Sequence, residues 1–348
     1  LFTVIDIKEA LALEKTLFID VRSPSEYEDG TILGAINIPI LDDSERAIIG
    51  TIYKKESKDK ATVTGLNLVS HKLPNLYETI RAYSKEYDYI IIFCWRGGMR
   101  SRSVCNLLSM LDIPNIYQLK DGYKGYRRHV INYLENDILK YHFIVLHGVT
   151  GVGKTHILEE LKKEDIPILN LEEMAQNSGS VFGDLVFEKK PPSQKNFESL
   201  LFHKMHSFKE SYIFIESESK RIGNVQIPDH LYHHMMQKYH ILIETNLENR
   251  VNVILKDYIH HLDQNHEKIK KSLDHLRKRL GNKWVDTLIQ KVDEKNYSYV
   301  IEYLMKHYYD PLYKYSIEQY EYDLVIEYKY IKEAVTKLKE FIKNTLNH

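Results

Sequence analysis

Cysteine is nearly absent: the 348 residues hold two, Cys94 and Cys105, with no metal-ligand spacing around either. That count argues against a disulfide framework and suits a reducing cytoplasm with one reactive thiol. No apolar run approaches the roughly 18 residues a membrane helix needs, so no membrane association is expected. A charged segment followed by an apolar one does not open the chain, so a secretory leader is not expected, and because residue 1 is Leu a few preceding residues are expected to be missing. Neither charge sign dominates: 48 Lys and Arg stand against 49 Asp and Glu, a net charge of −1, so global charge gives no support for a polyanion partner. Internal repeats and low-complexity tracts are missing too. What is there is 43% hydrophobic residues, enough for packed cores, in a length that suits two domains.

The first part of the chain alternates short strands and helices. Asp6 caps an expected helix through Glu14, and strands are expected at 17–20, 35–38, 89–93 and 115–119, with a helix over 100–111. The polar, amphipathic stretch 43–86, broken near Gly65 and Pro74, predicts a helical insertion. A helix over 126–140 leads to a second region with strands at 142–146, 211–215 and 240–243. From Asn249 onward the pattern is largely helical, with Gly281 the clearest break. Cations from Lys268 to Arg279 fall on one expected helix, either as a solvated face or as contacts to phosphate. The alternation implies an α/β fold: a parallel-sheet domain with a helical insertion over 1–138, then a phosphate-loop α/β domain with a helical C-terminal part over 139–348.

Two loops in this frame carry chemistry. After the apolar run 89–93 comes Cys94-Trp95-Arg96-Gly97-Gly98-Met99-Arg100-Ser101. A strand that ends in Cys and turns through glycines into a helix aims backbone N–H groups at the sulfur and favours thiolate. Arg96 and Arg100 add positive charge, and Gly97 and Gly98 let the backbone approach an anion closely. Cys105 shares a helical apolar stripe with Met99, Leu108 and Leu111 and reads as core. The second loop, Gly148-Val149-Thr150-Gly151-Val152-Gly153-Lys154-Thr155, is a complete G-x(4)-G-K-[ST] motif between a strand and a helix. Backbone N–H groups from Gly151 to Thr155 would cradle a diphosphate, Lys154 would bridge its oxygens, and Thr155 would ligate Mg2+ if one is present. No tightly bound metal is expected. At the end of the next strong strand, Glu216 and Glu218 stand where many NTPases place Asp, and with Ser219 and Arg221 they form a candidate second-domain site. His147, beside the loop, reads equally as structural or catalytic.

The cysteine loop resembles that of the rhodanese family, and so does the upstream run from Asp20-Val21-Arg22 through Glu26-Tyr27 and Gly30 to Gly34-Ala35-Ile36-Asn37-Ile38-Pro39. That resemblance implies that Asp20 and Arg22 buttress the active loop and that Cys94 carries sulfur or selenium. A rhodanese domain followed by a P-loop domain resembles the tRNA 2-selenouridine synthases. The likeness extends to 43–47, 50–54, 179–183, 196–198, 218–223 and 308–313. It implies a transferase acting on tRNA with wobble 2-thiouridine: a geranyl group from geranyl diphosphate first alkylates the sulfur, then selenium from selenophosphate replaces the geranylthio group. Under it Cys94 handles selenium, Arg96, Gly97, Gly98, Arg100 and Ser101 hold the donor anion, and the P-loop (Gly148, Gly151, Gly153, Lys154, Thr155) binds geranyl diphosphate or a tRNA phosphate. An enzyme that supplies selenophosphate is an expected partner. Phe182, Phe187, Phe197 and Phe202 are candidates for an apolar groove or, equally, for core. Two other readings are a P-loop kinase or sulfurtransferase acting on a small molecule, and a tRNA-binding regulator whose loops hold phosphate without catalysis.

Overall fold

Short runs rich in Ile, Val and Phe, bounded by Pro, Gly and Asp, form buried strands here, and they assemble into two separate parallel sheets. The computed structural model describes residues 2–177, 190–262 and 265–346. The chain divides into two compact units, Leu1–Leu134 with Ser193–His203, and Glu135–Pro192 with Lys204–His348.

The first unit contains β1 (Thr3–Ile5), β2 (Thr16–Asp20), β3 (Ile36–Asn37), β4 (Tyr89–Phe93) and β5 (Ile116–Leu119), all parallel, in the order β1-β5-β4-β2-β3. Leu17 and Ile19 of β2 and Ile90 and Ile92 of β4 share one face, since successive strand residues alternate. They bury against Val104, Cys105 and Leu108 of the helix Met99–Met110. The insertion is helical as expected, with helices Asp43–Lys55, Lys58–Ser70 and Leu73–Tyr83. Gly65, expected to break a helix, lies inside the second. A Cβ there would come 3.3 Å from Ile49 Cδ1, so close packing of the helix pair outweighs the roughly 1 kcal/mol that glycine costs a helix. The segment Ser193–His203, distant in sequence, belongs to this unit: Asn196 Oδ1 accepts from the Thr31 amide at 3.2 Å and Arg127 pairs with Glu198.

The second unit has β6 (His142–His147), β7 (Ile168–Leu169), β8 (Tyr212–Glu216), a hairpin of β9 (Arg221–Ile222) and β10 (Val225–Gln226), β11 (Tyr239–Glu244) and β12 (Leu324–Glu327). Its five-stranded parallel sheet runs β12-β11-β6-β8-β7, which places β6 centrally and β8 beside it. Helices Lys154–Lys163 and Ile331–Thr345 cover it with Ile157, Leu161, Val335 and Leu338. The edge strand β12 was not expected: four residues inside a Tyr- and Glu-rich stretch carry too little periodicity to register. The cations between Lys268 and Arg279 occupy two helices, His266–Asp274 and Arg277–Leu280. Lys270 pairs with Asp293, and Arg277 pairs with Asp274 and Asp286, so part of this charge is neutralised within the fold. No helix among the described residues is long and apolar enough to cross a membrane.

Ile92 is fully buried in the centre of the first sheet. Ile92→Ala is expected to lower stability by about 2–5 kcal/mol, from lost transfer energy plus a cavity. Denaturant unfolding checks this, and a loss under about 1 kcal/mol would mean the sheet collapses around the gap.

Candidate functional site

In the first unit, β4 delivers Cys94 to the carboxyl edge of the sheet, and residues 94–98 turn into the helix Met99–Met110. Cys94 is 3% exposed, and its Sγ lies 3.2 Å from Ser101 Oγ. Gln118 Nε2, from β5, donates to Ser101 Oγ at 2.9 Å and to the Gly97 carbonyl at 2.8 Å. Ser101 Oγ also lies 3.4 Å from the Gly98 carbonyl, so its proton has two acceptors in reach, that oxygen and the sulfur. The loop is closed from behind: the amides of Tyr123 and Lys124 donate to the carbonyls of Cys94 and Trp95 at 2.8 and 2.9 Å. This approach needs glycine at position 122, where φ is +52° and a Cβ would stand 2.1 Å from the Cys94 carbonyl oxygen.

The two arginines of the loop differ. Arg96 is exposed at its tip, and no ion pair among the described residues engages it. Arg100 forms a bidentate pair with Glu26 at 2.5 and 3.2 Å, and Arg46 of the insertion stands 3.6 Å from the same carboxylate. Burial pushes the Glu26 carboxyl up, but the hydrogen bond and charge of Arg100, with Arg46, hold it below its usual range. Among the described residues Arg96 is thus the loop cation that no carboxylate engages, while Arg100 is held in place. Asp20 and Arg22 form a buried pair at 3.0 and 2.6 Å, and Arg22 Nη2 also donates to the Gly30 carbonyl at 2.6 Å. The Arg22 guanidinium lies 4.2 Å from the Tyr123 ring centre, directly under the segment that closes the loop. Cys105 is fully buried and its thiol is pushed up to about 12 by burial and by the charge of Cys94, so it is an inert core residue.

In the second unit, β6 leads into the loop 148–153 and the helix Lys154–Lys163. Lys154 Nζ donates to the Gly148 carbonyl at 3.0 Å, folding back over the loop. Gly151 has φ of +80°, and a Cβ there would meet Met305 Cε at 2.7 Å. Thr155 stands in the first turn of the same helix. The loop is clamped from distant parts of the chain. Arg250 Nε donates to the Thr150 carbonyl at 2.9 Å while its two Nη atoms grip Asp310 at 2.9 and 2.5 Å. Tyr328 Oη donates to the Val152 carbonyl at 2.8 Å, and Tyr313 hydrogen-bonds Thr150. Arg250 carried no signal in the sequence, being one of two cations, with Lys256, in the amphipathic helix Leu247–Leu262. Asp310 and Tyr313 belong to the 308–313 segment that had matched the family pattern without a role.

Glu216 and Glu218 do gather by the loop, joined by Glu172, which carried no signal in the sequence. Glu216 is 1% exposed at the end of β8; its Oε1 accepts from the Glu172 amide at 3.0 Å, and its Oε2 is buried with no partner among the described residues. Burial and the neighbouring Glu172 raise both carboxyls, Glu218 to about 8, and Lys154 offsets only part of this. Ser219 and Arg221 turn away into the hairpin: Ser219 Oγ donates to the Arg221 carbonyl at 2.6 Å, and exposed Arg221 donates to the Gly223 carbonyl at 3.1 Å. Among the described residues no group of three or more His, Cys, Asp or Glu side chains is arranged to hold a metal ion. His147 is structural. His240 Nε2 faces the Met236 carbonyl at 3.1 Å and therefore carries hydrogen, so its Nδ1 accepts from His147 Nε2 at 2.8 Å. Burial, then His240 and Lys154, lower the His147 pKa to about 3, which keeps the ring neutral. Phe197 and Phe202 are fully buried core residues, and Phe182 and Phe187 lie outside the described residues, as do residues 179–183.

Gly122→Ala is expected to open the cysteine loop, lowering thermal stability and speeding alkylation of Cys94 by a thiol reagent. An unchanged melting point and alkylation rate would show that the loop does not rest on this contact. Glu218 sits near 8 in the fold against an ordinary 4.5, so the folded chain binds the extra proton between those values. Stability of this unit should therefore fall as pH rises through that window, and Glu218→Gln should flatten the slope, as read from denaturant midpoints across pH.

Two family models match the chain: a rhodanese-like domain over residues 3–129 and a tRNA 2-selenouridine synthase AAA domain over residues 141–345. Among curated proteins, the tRNA 2-selenouridine synthase of Shewanella woodyi is 31% identical over 86% of this chain and 88% of its own length. The namesake proteins of Hydrogenovibrio crunogenus and Marinobacter nauticus are each 30% identical, over 89% and 91% of this chain and 92% of their own lengths. With both domain types in this order and relatives matched nearly end to end, the chain belongs to the tRNA 2-selenouridine synthase family.

Proposed function

We propose that the chain is a transferase that converts wobble 2-thiouridine of tRNA to 2-selenouridine in two steps. The observation that carries this reading is the pairing, in a chain of this family, of a cysteine loop bearing a free arginine with a complete diphosphate-binding loop. In the first step the 2-thio sulfur attacks the allylic carbon of geranyl diphosphate. An S–C bond forms, the C–O bond breaks, diphosphate departs and the N3 proton goes to solvent. Backbone amides of 151–155 and Lys154 are suited to the departing diphosphate, since they place fixed positive dipoles where negative charge grows. Thr155 would help hold a Mg2+ ion, where one is present, which would add to that charge neutralisation.

In the second step the selenium of selenophosphate bonds to C2 and the geranylthio group leaves as the thiol, taking a proton. Water then cleaves the Se–P bond, giving 2-selenouridine and phosphate. Alkylation is what makes the sulfur a competent leaving group. The Cys94 loop suits the donor: exposed Arg96 can pair with the phosphoryl oxygens, and Cys94, hydrogen-bonded to Ser101, meets the selenium. Such a reaction places the chain with tRNA in the cytoplasm, supplied by an enzyme that makes selenophosphate.

Mass spectrometry of nucleosides from 2-thiouridine tRNA incubated with both donors tests this. The expected result is S-geranyl-2-thiouridine followed by 2-selenouridine. Lys154→Ala should slow the first product on the order of 100-fold, whereas Cys94→Ser should let the geranylated nucleoside accumulate without selenation. No change in the nucleoside, with tRNA and donors intact, would overturn the proposal and favour a small-molecule kinase or sulfurtransferase.

A further inference from the structure

The helical insertion leaves an apolar groove of about 200 Å3 in the first unit, walled by Ile40, Leu41, Ile49, Leu66, Val69 and Met99. Arg100 and Ser103, on the helix that opens directly after the cysteine loop, line it too. Leu66 is 65% exposed and Met99 54%, and the insertion exposes Ile48 and Val63 as well. Large aliphatic side chains gathered this way around a concavity mark a surface that receives an apolar group.

We propose that this groove holds the geranyl chain of S-geranyl-2-thiouridine while the C2–S bond is exchanged for C2–Se, an inference that rests on the two-step reading above. Covalent connectivity selects the occupant. The chain is attached to the very sulfur that leaves, so wherever selenium is delivered the first carbon of the chain lies one bond from the broken C2–S bond. Met99 and Arg100, which line the groove, follow Gly98 of the cysteine loop without an intervening residue, so the groove and the loop share the start of one helix.

The lining agrees with that occupant. Arg100 contributes the groove's one charged side chain, and Glu26 already neutralises it, so an isoprenoid displaces water without stranding an ion. Each methylene buried there is worth about fourfold in affinity. A larger cavity of about 640 Å3 flanks the phosphate-loop helix, but Glu159, Lys256, Lys329 and Lys332 line it, and an apolar chain would desolvate them. The groove also gives the insertion a purpose: it builds an apolar wall beside a loop that otherwise handles anions.

The test uses the full chain and synthetic anticodon stem-loops carrying 2-thiouridine that is S-methylated, S-dimethylallylated or S-geranylated. Binding of each is measured, together with selenation of the geranylated RNA. Affinity is expected to rise with chain length, with geranyl at least about tenfold tighter than methyl. Leu66→Asp, at an exposed position, should bring geranyl to within about threefold of methyl, leaving S-methyl binding unchanged. Leu66→Trp, which fills the groove without a charge, should do the same and carries the test if the aspartate variant misfolds. If the unaltered chain prefers and selenates the geranylated RNA while both variants keep that preference, the groove is overturned and the two-step reading stands. If the unaltered chain neither prefers nor selenates that RNA, both fall. A dimer that Leu66→Asp dissolves with the length preference intact would make the groove a self-association surface and overturn the proposal.

Discussion

The buried pair of Asp20 and Arg22 is the constraint on which the cysteine site depends. Both side chains are sealed from water, so each must be fully satisfied. The Asp20 carboxylate accepts from the Arg22 side chain, the Arg22 amide and Thr31 Oγ1, and Arg22 also binds the Gly30 carbonyl. Removing one partner of such a pair typically costs about 3–5 kcal/mol, because the other charge is left stranded. The consequence reaches past stability. The same guanidinium supports the Tyr123 ring, and the Tyr123 amide holds the Cys94 carbonyl, so an ion pair at the end of one strand sets the loop at the end of the next.

The second unit solves the same problem with a different pair. Within the phosphate loop Lys154 holds the Gly148 carbonyl, while the carbonyls of Thr150 and Val152 are held from elsewhere in the chain. Arg250 holds the first of these, tethered by Asp310 from 60 residues further along the chain. Tyr328 and Tyr313 add hydroxyls to neighbouring points of the loop. In both units a glycine-containing loop is shaped by a buried or half-buried Arg–Asp pair that lies outside the loop itself. Electrostatic preorganisation of this kind avoids reorganising the site when charge arrives.

The carboxylates near Lys154 carry the opposite character. Three glutamates and a lysine share a poorly solvated corner, and one oxygen of Glu216 has no partner among the described residues. Native folds seldom leave such a group unsatisfied, and where they do it concentrates at working sites. The corner therefore stores an electrostatic cost that an added cation or proton would relieve.

Both loops, the parallel strands that carry them and the inert Cys105 were legible from sequence, because local rules set them. A strand ending in Cys or Gly before a glycine turn has few other conformations, and buried strands announce themselves as short apolar runs. The helical character of the insertion was legible too, though not the continuity of its second helix through Gly65. What tertiary structure alone decided is which partners meet across the chain: Arg100 with Glu26, Arg250 with Asp310, Glu216 with the Glu172 amide, and residues 193–203 with the first unit. Each is a long-range pairing whose members look like ordinary surface charges or core residues in one dimension. The apolar groove is the extreme case, since Leu41, Leu66 and Met99 lie in separate segments and become a wall only when the insertion folds against the cysteine-loop helix.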